Sequence, residues 1–281
     1  MREESTPGAA PREPPARDQG GVPLEPQREP LPTRIDATPP LPAAYDDALR
    51  AGLDRLAIRL DPTERAAIDG HVRLLLAWNA AINLTALRDP VAVATLHVVD
   101  SLTALAPLRA RGARRLLDLG SGGGFPGIPL AIGLGAEETL LVDSVAKKAR
   151  FLGTAVAAIG LDARIAVHTG RAETLAAEPA GRERWQVVTA RAVAGLAELV
   201  ELAFPLLETG GCLVAWKRGD LRPEMAAAER ALAALGGGRL ETVDASLGGL
   251  LPGHRLVVAT KRGRTPAGFP RDPAVRRRRP W

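Results

Sequence analysis

Three glycines at alternate positions, directly after a short apolar run, carry the strongest chemical signal in this sequence. Residues 116–130 read Leu-Leu-Asp-Leu-Gly-Ser-Gly-Gly-Gly-Phe-Pro-Gly-Ile-Pro-Leu. The apolar run predicts a buried parallel strand, and the apolar residues after the glycines predict a helix. Gly120, Gly122 and Gly124 lack a Cβ, so the backbone there can turn tightly and approach a ligand closely. Open α/β sheets bind nucleotides at this carboxyl end of a strand.

Acidic residues around this loop narrow the class of ligand. Gly122, Gly124 and Gly127 fit the G-x-G-x-x-G pattern of dinucleotide-binding loops, but that match alone has little specificity. Asp118 followed by three alternate glycines resembles motif I of the class I S-adenosylmethionine-dependent methyltransferases. Asp143 ends a second apolar run about twenty residues further on, which suits a ribose with two free hydroxyls. The resemblance implies S-adenosylmethionine as the cofactor.

Beyond the glycine loop, strand-like and helix-like segments alternate, as a doubly wound sheet requires. Predicted strands follow at 140–143, 164–168, 185–189, 211–216, 240–243 and 255–260. Predicted helices lie at 145–159, 196–207 and 224–235. The last two strands have no clear helix between them, which resembles the methyltransferase sheet, whose final strand inserts antiparallel. We predict an α/β fold of the class I, Rossmann-like methyltransferase type, with a seven-strand sheet and an N-terminal helical cap.

The composition changes along the chain and predicts four regions. Residues 1–42 hold 11 of the 24 prolines and little apolar periodicity, so we predict a disordered extension. Residues 43–110 have apolar residues at helical spacing and predict the helical cap. Residues 111–261 are predicted to form the S-adenosylmethionine-binding domain. Residues 262–281 form a basic tail with seven arginines.

Whole-chain composition limits the environment and the kind of site. The 281 residues are 46% hydrophobic, which is ample for a core. The one cysteine, Cys212, lies in a strand-like run and fits a reducing compartment. We expect no membrane-spanning stretch, no signal peptide and a cytoplasmic protein. The histidines have no metal-ligand spacing, so we predict no metal site.

The chemistry of transfer narrows the acceptor. Methylation of carbon five of cytosine needs a cysteine in an active-site loop, whereas Cys212 is predicted in a strand. The Asn-Pro-Pro-aromatic motif of adenine amino methyltransferases is absent from the sequence. Guanine N7 already presents a lone pair, so its positioning in line with the methyl group can suffice without a strong base. The sequence is compatible with that acceptor.

Several motifs together resemble one family, the RsmG (GidB) 16S ribosomal RNA guanine-N7 methyltransferases. They are Trp78-Asn-x-x-x-Asn-Leu-Thr85, Arg88-Asp-Pro90, His97-x-x-Asp-Ser101, the extended glycine loop from Asp118 to Pro129, Asp143-Ser144, Arg171-Ala-Glu173, Ala190-Arg-Ala192 and Trp216-Lys217. The match runs from about residue 43 to the C-terminus, and Phe-Pro-Gly-Ile-Pro is its most specific piece. Trp216-Lys-Arg-Gly219 departs slightly from the usual aliphatic-Lys-Gly.

The resemblance implies which residues contact the cofactor and which RNA is methylated. The implied cofactor contacts are Gly120, Phe125, Ala172, Glu173 and Arg191, to which the loop and ribose arguments add Gly122 and Asp143. No catalytic acid or base is implied. The implied partner is 16S ribosomal RNA or the small ribosomal subunit, with the target guanine in the 530 loop.

Basic residues supply candidate contacts to RNA phosphate. The candidates are Lys147, Lys148, Arg171, Lys217, Arg276, Arg277, Arg278 and Arg279. From residue 261 onward there are eight Lys or Arg and one Asp, a local charge of 8 − 1 = +7, whereas the whole chain has +5. Arginine runs without aromatic residues bind phosphate rather than sequence, so we expect the tail to add RNA affinity and to leave cofactor binding unaffected. The alternatives are a solvated helix face for Lys147 and Lys148 and a solubilising end for the tail.

Two other functions remain open at this stage. One is a small-molecule methyltransferase of the same fold, for which the basic tail would be idle. The other is a non-catalytic RNA-binding or cofactor-binding module that keeps the glycine loop. Transfer of label from S-adenosylmethionine to 16S RNA, to small molecules or to neither distinguishes the three.

Overall fold

The computed structural model describes residues 30–281, of which Leu31–Trp281 form one compact unit. Residues 1–29 of the predicted disordered extension lie outside the described residues. The remainder of that extension packs on the helical cap: the Trp78 indole N–H donates to the Pro32 carbonyl at 2.7 Å, and Arg73 Nε donates to the Pro39 carbonyl at 2.9 Å. Side chains of the cap therefore hold backbone carbonyls on the N-terminal side of the predicted boundary at residue 42.

Seven strands form one sheet in the order β3-β2-β1-β4-β5-β7-β6. The strands are β1 (Arg115–Leu119), β2 (Glu138–Asp143), β3 (Ile165–Thr169), β4 (Trp185–Arg191), β5 (Leu207–Arg218), β6 (Gly238–Asp244) and β7 (His254–Lys261). The first five run parallel, whereas β7 pairs antiparallel with both β5 and β6. The predicted α/β fold, its seven strands and the antiparallel final strand are confirmed.

Eleven α-helices are present in the described residues. Those before the sheet are α1 (Ala43–Arg55), α2 (Pro62–Ile82), α3 (Pro90–Val93), α4 (Asp100–Leu102) and α5 (Leu105–Ala110). Those that follow are α6 (Gly127–Leu134), α7 (Ala146–Ala158), α8 (Ala172–Ala177), α9 (Leu196–Ala203), α10 (Arg222–Ala234) and α11 (Pro273–Arg278). A 3-10 helix (Ile35–Ala37) precedes α1, and a π-helix (Ala94–Val99) joins α3 to α4.

Two apolar cores lie on opposite faces of the sheet. Alternate residues of β5 show this directly: Cys212, Val214 and Trp216 belong to one core, and Leu213 and Ala215 belong to the other. Alternation is expected because successive side chains of a strand point to opposite faces. The first core holds the helical cap together with α6 and α7, and the second holds α8, α9 and α10.

Local sequence fixes where α2 begins. The Asp61 side chain accepts hydrogen bonds from the backbone N–H groups of Thr63 and Glu64, and Glu64 Oε2 accepts from the Asp61 N–H. Pro62 occupies the first turn, where its missing N–H costs nothing. This reciprocal cap fixes the first turn of the helix.

An apolar helical segment crosses the core of the cap. Pro90–Ala110 is long and apolar enough to cross a membrane by length and composition, and 56% of an apolar 18-residue stretch within it is buried inside the protein. This corrects the expectation that no stretch of the chain has these properties. Its buried side chains, among them Val93, Val98 and Leu102, belong to the first core. The segment therefore packs as a core helix.

Candidate functional site

The glycine loop connects β1 to α6 at the carboxyl end of the sheet. Gly124 has φ +88°, and a Cβ there would lie 2.7 Å from His71 Nε2 and 2.6 Å from Ile128 Cδ1. A side chain at this position would be strained by the backbone and by both neighbours. Gly120 has φ +68°, and its Cβ would meet Val193 Cγ2 at 2.7 Å. The loop conformation therefore requires glycine at both positions.

Two buried carboxylates accept hydrogen bonds from backbone N–H groups of the loop and of the helix that follows it. Asp118 Oδ2 accepts from the Gly127 N–H at 3.3 Å, and Asp118 Oδ1 accepts from the Thr189 hydroxyl at 2.7 Å. Burial raises the pKa of Asp118 to about 6. Asp143 Oδ2 accepts from the Gly122 N–H at 2.9 Å, which ties the end of β2 to the loop. The two carboxylates thus fix the loop backbone without a ligand.

Phe125 lies between two histidines that remain neutral at pH 7. Its ring centroid is 4.6 Å from that of His71 and 4.8 Å from that of His97. Burial lowers the pKa of His71 to about 4, and burial with the nearby Arg191 charge lowers that of His97 to about 4. Arg191 Nη2 donates to His97 Nδ1 at 3.2 Å, so the proton of the neutral ring is on Nε2, which donates to Thr85 Oγ1 at 2.7 Å. His97 is a hydrogen-bonded structural residue here.

A first cavity of about 250 Å³ opens at the ends of β1, β2 and β4, and we call it the Glu173 cavity. Its carboxylates are Asp143, Glu173 and Glu198, and its cations are Arg171 and Arg276. Its aliphatic wall is formed by Leu119, Val142, Ala172, Val193 and Leu202. The cavity combines acceptors for hydroxyl or amino groups with an apolar surface for a flat ring.

A second cavity of about 530 Å³, the Lys217 cavity, lies on the other side of Ala194, which lines both cavities. Its polar and aromatic lining is formed by His97, Asp100, Arg191, Trp216, Lys217, Arg218, Glu224 and His254. Lys217 Nζ donates to Glu224 Oε2 at 2.6 Å and to the Ala194 carbonyl at 3.1 Å. A cation and a carboxylate therefore stand side by side at this wall.

Asp100 joins the helical cap to three strands beneath this cavity. Its carboxylate is 2% exposed; Oδ2 accepts from Arg191 Nη1 at 2.8 Å and Oδ1 from His254 Nδ1 at 2.7 Å. Its carbonyl accepts the Trp216 indole N–H at 2.8 Å. Arg218 Nε donates to His254 Nε2, while His254 Nδ1 faces Asp100 Oδ1. The network fixes the basic lining of the cavity.

The structure brings most of the predicted cofactor residues together. Gly120, Asp143, Ala172 and Glu173 line the Glu173 cavity, and Arg191 lines the Lys217 cavity. Phe125 lies buried against His97, and Gly122 is held by Asp143 in the loop between. Their contacts with a cofactor stay predictions.

The predicted RNA-binding residues fall into two groups. Lys147, Arg171, Arg277, Arg278 and Arg279 are exposed, Lys148 is half-buried and Lys217 lies in its ion pair with Glu224. Arg276 differs: it is 9% exposed and pairs with Glu173 and Glu198. Its guanidinium is bound within the protein by these two carboxylates. This differs from the exposed position expected of a residue that contacts RNA phosphate.

The basic tail is also built into the fold. The Arg271 guanidinium makes a two-fold hydrogen bond with the fully buried carboxylate of Glu201, and Trp281 Nε1 donates to the same carboxylate at 2.7 Å. Arg182 donates to the carbonyls of Thr265, Pro266 and Phe269. Arg276 of the tail also lines the Glu173 cavity, so the tail is not separate from that cavity.

Sequence reasoning missed Asp100, Glu198, Glu224 and His254 as members of the site. Asp100 and His254 are 154 positions apart, and no local spacing links them. Among residues 30–281, no group of three or more His, Cys, Asp or Glu side chains is arranged to hold a metal ion.

A comparison of the sequence with models of known protein families identifies the family of this chain. The family model for GidB, described as rRNA small subunit methyltransferase G, matches residues 64–248. The chain belongs to the GidB family. The family resemblance predicted from the motifs is therefore confirmed.

Relatives of known name support the same assignment. A ribosomal RNA small subunit methyltransferase G from Dehalococcoides mccartyi is 37% identical over 224 residues, which cover 80% of this chain and 94% of that protein. One from Chloroflexus aggregans is 41% identical over 227 residues, covering 79% and 92% respectively. The crystal structure of an O-methyltransferase from Bacillus cereus in complex with SAH superposes with a TM-score of 0.50 and 19% identity, over 74% of this chain and 95% of that one. The last comparison shows the methyltransferase fold alone.

The GidB match covers nearly all of both cavities. Of the residues that line them, His254 in the Lys217 cavity and Arg276 in the Glu173 cavity lie beyond residue 248. The chain is an enzyme of the methyltransferase class, and Arg276 brings one side chain of the C-terminal segment to the Glu173 cavity.

Proposed function

We propose that this GidB family member transfers the methyl group of S-adenosylmethionine to N7 of a guanine in 16S ribosomal RNA, within the 530 loop of the small subunit. The observation that carries the proposal is the pair of neighbouring cavities at the glycine loop, one rich in carboxylates and the other lined by basic and aromatic side chains. The names of the relatives support ribosomal RNA as the acceptor. The enzyme would act in the cytoplasm, on RNA or on the small subunit.

The residues of the Glu173 cavity fit the cofactor. Asp143 and Glu173 offer carboxylate oxygens for the ribose hydroxyls and for polar groups of the adenosine, while Leu119 and Ala172 offer apolar surface to the base. Gly120 lines the same cavity and places no side chain in it. When bound, S-adenosylmethionine supplies an electrophilic methyl group on its sulfonium. The protein's part is to hold that group facing the Lys217 cavity.

The Lys217 cavity suits a guanine. Guanine presents O6 as an acceptor next to N–H donors, and Lys217 and Glu224 present a cation next to a carboxylate. Burial alone would raise the pKa of Glu224, but hydrogen bonds from Lys217 and the Leu196 N–H lower it, so the carboxylate is ionised. The paired groups can thus bind the base through its other edge and leave N7 free to react.

Methylation at N7 needs no proton to be removed, and the side chains agree with this. His97 accepts from Arg191 on Nδ1 and has its pKa lowered to about 4, so it is held in place rather than poised as a base. Cys212 is 1% exposed within β5, and burial raises its pKa to about 11. That burial and the raised pKa disfavour a covalent adduct from Cys212 to a pyrimidine.

Exposed basic residues at the end of the sheet and in the C-terminal segment support RNA as the substrate. Lys147 and Arg171 are exposed at the carboxyl end of the sheet, and Arg277, Arg278 and Arg279 are exposed on and after α11. Exposed cations that are free to move bind phosphate without reading sequence. They would position the RNA backbone while the Lys217 cavity takes one base.

The proposal is tested by labelled methyl transfer. The full chain is incubated with methyl-labelled S-adenosylmethionine and with small subunits or deproteinised 16S RNA from cells that lack this modification. We expect label in 16S RNA, and borohydride–aniline treatment should cleave the strand at one guanine of the 530 loop. Cys212→Ala should retain transfer, because no adduct is needed.

Each other outcome overturns the proposal in a distinct way. Label that enters only small molecules of a cell extract indicates a small-molecule methyltransferase. Cofactor binding without any transfer indicates a binding module. Loss of transfer in a well-folded Cys212→Ala protein would return cytosine as the acceptor.

A further inference from the structure

The Glu173 cavity is closed on one side by Arg276, a residue outside the part of the chain that the GidB family model matches. Arg276 lies on α11 and reaches across to α8 and α9. Its side chain is 8% exposed, although its neighbours Arg277 and Arg278 are exposed. One arginine of the basic run therefore differs in its environment from the rest.

All three nitrogens of the Arg276 guanidinium donate hydrogen bonds within the protein. Nη2 donates to Glu173 Oε1, Nε donates to Glu198 Oε1 at 3.2 Å and Nη1 donates to the Arg271 carbonyl at 2.7 Å. Arginine is suited to this position because its planar group presents several donors in fixed directions. The three contacts fix both the guanidinium and the Glu173 carboxylate that faces it.

The segment that carries Arg276 is itself anchored. Glu201 of α9 is fully buried and receives hydrogen bonds from the Arg271 side chain at 2.6 and 2.9 Å and from the Arg271 N–H at 2.8 Å. The Arg271 guanidinium also lies 4.4 Å from the centre of the Trp281 ring. Because the buried carboxylate needs these partners, the segment stays in place beside the cavity.

Carboxylates around a binding cavity repel one another and turn toward water unless a cation holds them. Three of them, on Asp143, Glu173 and Glu198, line the Glu173 cavity. Arg276 is bound to one oxygen of Glu173, which leaves Glu173 Oε2 without a hydrogen bond from residues 30–281 and available to a ligand. The arrangement is that of a binding carboxylate set in place by a second residue.

We propose that Arg276 is a positioning residue of the cofactor site, which holds the Glu173 carboxylate in the orientation that binds S-adenosylmethionine. The proposal rests on the proposed function, because it takes that cofactor as the ligand of the Glu173 cavity. It makes the C-terminal segment part of the cofactor site in this chain.

The first test measures S-adenosylmethionine binding to the full chain by calorimetric titration, in the absence of RNA. Arg276→Ala should weaken binding by roughly tenfold, the scale of one charge-assisted hydrogen bond. Arg276→Lys, which keeps the charge with fewer donors, should fall between Arg276→Ala and wild type. Arg262→Ala is the control, because Arg262 is an exposed arginine of the same segment, and it should bind as wild type does.

A second test separates positioning from mere support of the fold. If Arg276 acts through Glu173, then Glu173→Gln with Arg276→Ala should bind the cofactor no more weakly than Glu173→Gln alone. In transfer assays Arg276→Ala should raise KM for S-adenosylmethionine and leave kcat at saturating cofactor unchanged. Thermal unfolding of each variant identifies any that is not folded at the assay temperature. If Arg276→Ala is not folded, Arg276→Lys is compared with wild type instead.

The failures of the two proposals are distinguishable. A folded Arg276→Ala protein with wild-type affinity for S-adenosylmethionine overturns the role of Arg276 and leaves the proposed function intact. Additive effects of the two substitutions overturn the route through Glu173. A wild-type chain that does not bind S-adenosylmethionine overturns the proposed function itself.

Discussion

The Glu173 cavity and the Lys217 cavity share Ala194, but they differ in chemistry and in how they are supported. The first presents three carboxylates above strand ends and is closed by Arg276. The second is lined by three cations, three aromatic rings and five aliphatic residues, with Asp100 and Glu224 as counter-charges. A neutral, hydroxyl-bearing group suits the first, and one base of a polyanion suits the second. The difference indicates which cavity takes which substrate in the proposed reaction.

The supports of the two cavities also differ. Beneath the Lys217 cavity, Asp100 connects the cap to β4, β5 and β7 through Arg191, Trp216 and His254. Around the Glu173 cavity, the carboxylates are held by loop N–H groups and by Arg276. We therefore expect substitutions below the second cavity to affect folding more, and substitutions around the first to affect ligand binding more.

The largest effect is expected from Asp100→Ala. Removal of this carboxylate leaves Arg191 as a charge without its buried partner, so we expect the free energy of unfolding to fall by about 3–5 kcal/mol. Denaturant unfolding measures it, and Asp162→Ala, at an exposed position, serves as the control. A loss below about 1 kcal/mol, the scale of an exposed pair, would show that the network does not support the cap.

Asp143→Ala should act mainly on the cofactor. It removes the acceptor for the Gly122 N–H and a candidate ribose ligand, and we expect binding of S-adenosylmethionine to weaken by about 1–3 kcal/mol. Lys217→Ala is the matched substitution in the other cavity and should leave that affinity unchanged. Equal losses in the two variants, measured by calorimetry, would remove the distinction between the cavities.

The dependence of stability on pH should report the buried histidine behind Phe125. Because burial lowers the pKa of His71 from 6.5 to about 4, the unfolded chain binds a proton in that range that the folded chain does not. Burial of this group therefore lowers the free energy of unfolding as pH falls from about 6.5 to 4. In His71→Gln, the plot of the free energy of unfolding against pH should be shallower in this range by up to about 1.4 kcal/mol per pH unit. Asp118 acts in the opposite direction in both proteins, so it cancels in the comparison. Parallel curves from denaturant unfolding would contradict this.

The smallest effect on the fold and on the cofactor is expected from Arg277, Arg278 and Arg279 changed together to Ala. All three are exposed, unlike Arg276. If each contacts a phosphate, the log–log dependence of RNA affinity on salt should become shallower by roughly 2–3 units. Affinity for S-adenosylmethionine should stay at the wild-type value. An unaltered salt slope would show that these arginines are only a solvated surface.

The sheet and the glycine loop could be predicted because their signals are local. Short apolar runs bounded by turn residues predict buried strands, and the loop's glycines need no partner to be recognised. The first and last residues of helices and strands were predicted less accurately where tertiary packing determines them. The helix predicted at 196–207 ends at Ala203, and β5 begins at Leu207 rather than at Gly211, because the chain turns directly into the sheet.

The long-range part of the site could not be predicted from local pattern. Arg276 and Arg277 are neighbours in one arginine run, and only the fold places one against Glu173 and the other in solvent. Likewise, Asp100 in a helix of the cap and His254 in the last strand meet only when the sheet is complete. Composition described the tail as a charged end, whereas its aromatic and arginine side chains bury Glu201.

The pairing of Glu201 with Arg271 has a consequence for the order of events during synthesis. Arg271 is 70 positions later in the chain than Glu201, and it lies beyond the last strand of the sheet. Because a chain emerges from its N-terminus onward, α9 is made well before the partner of its buried carboxylate. A nascent chain that has reached Lys261 has every strand of the sheet but lacks Arg276, so the wall of the Glu173 cavity is the part of the site that is finished last.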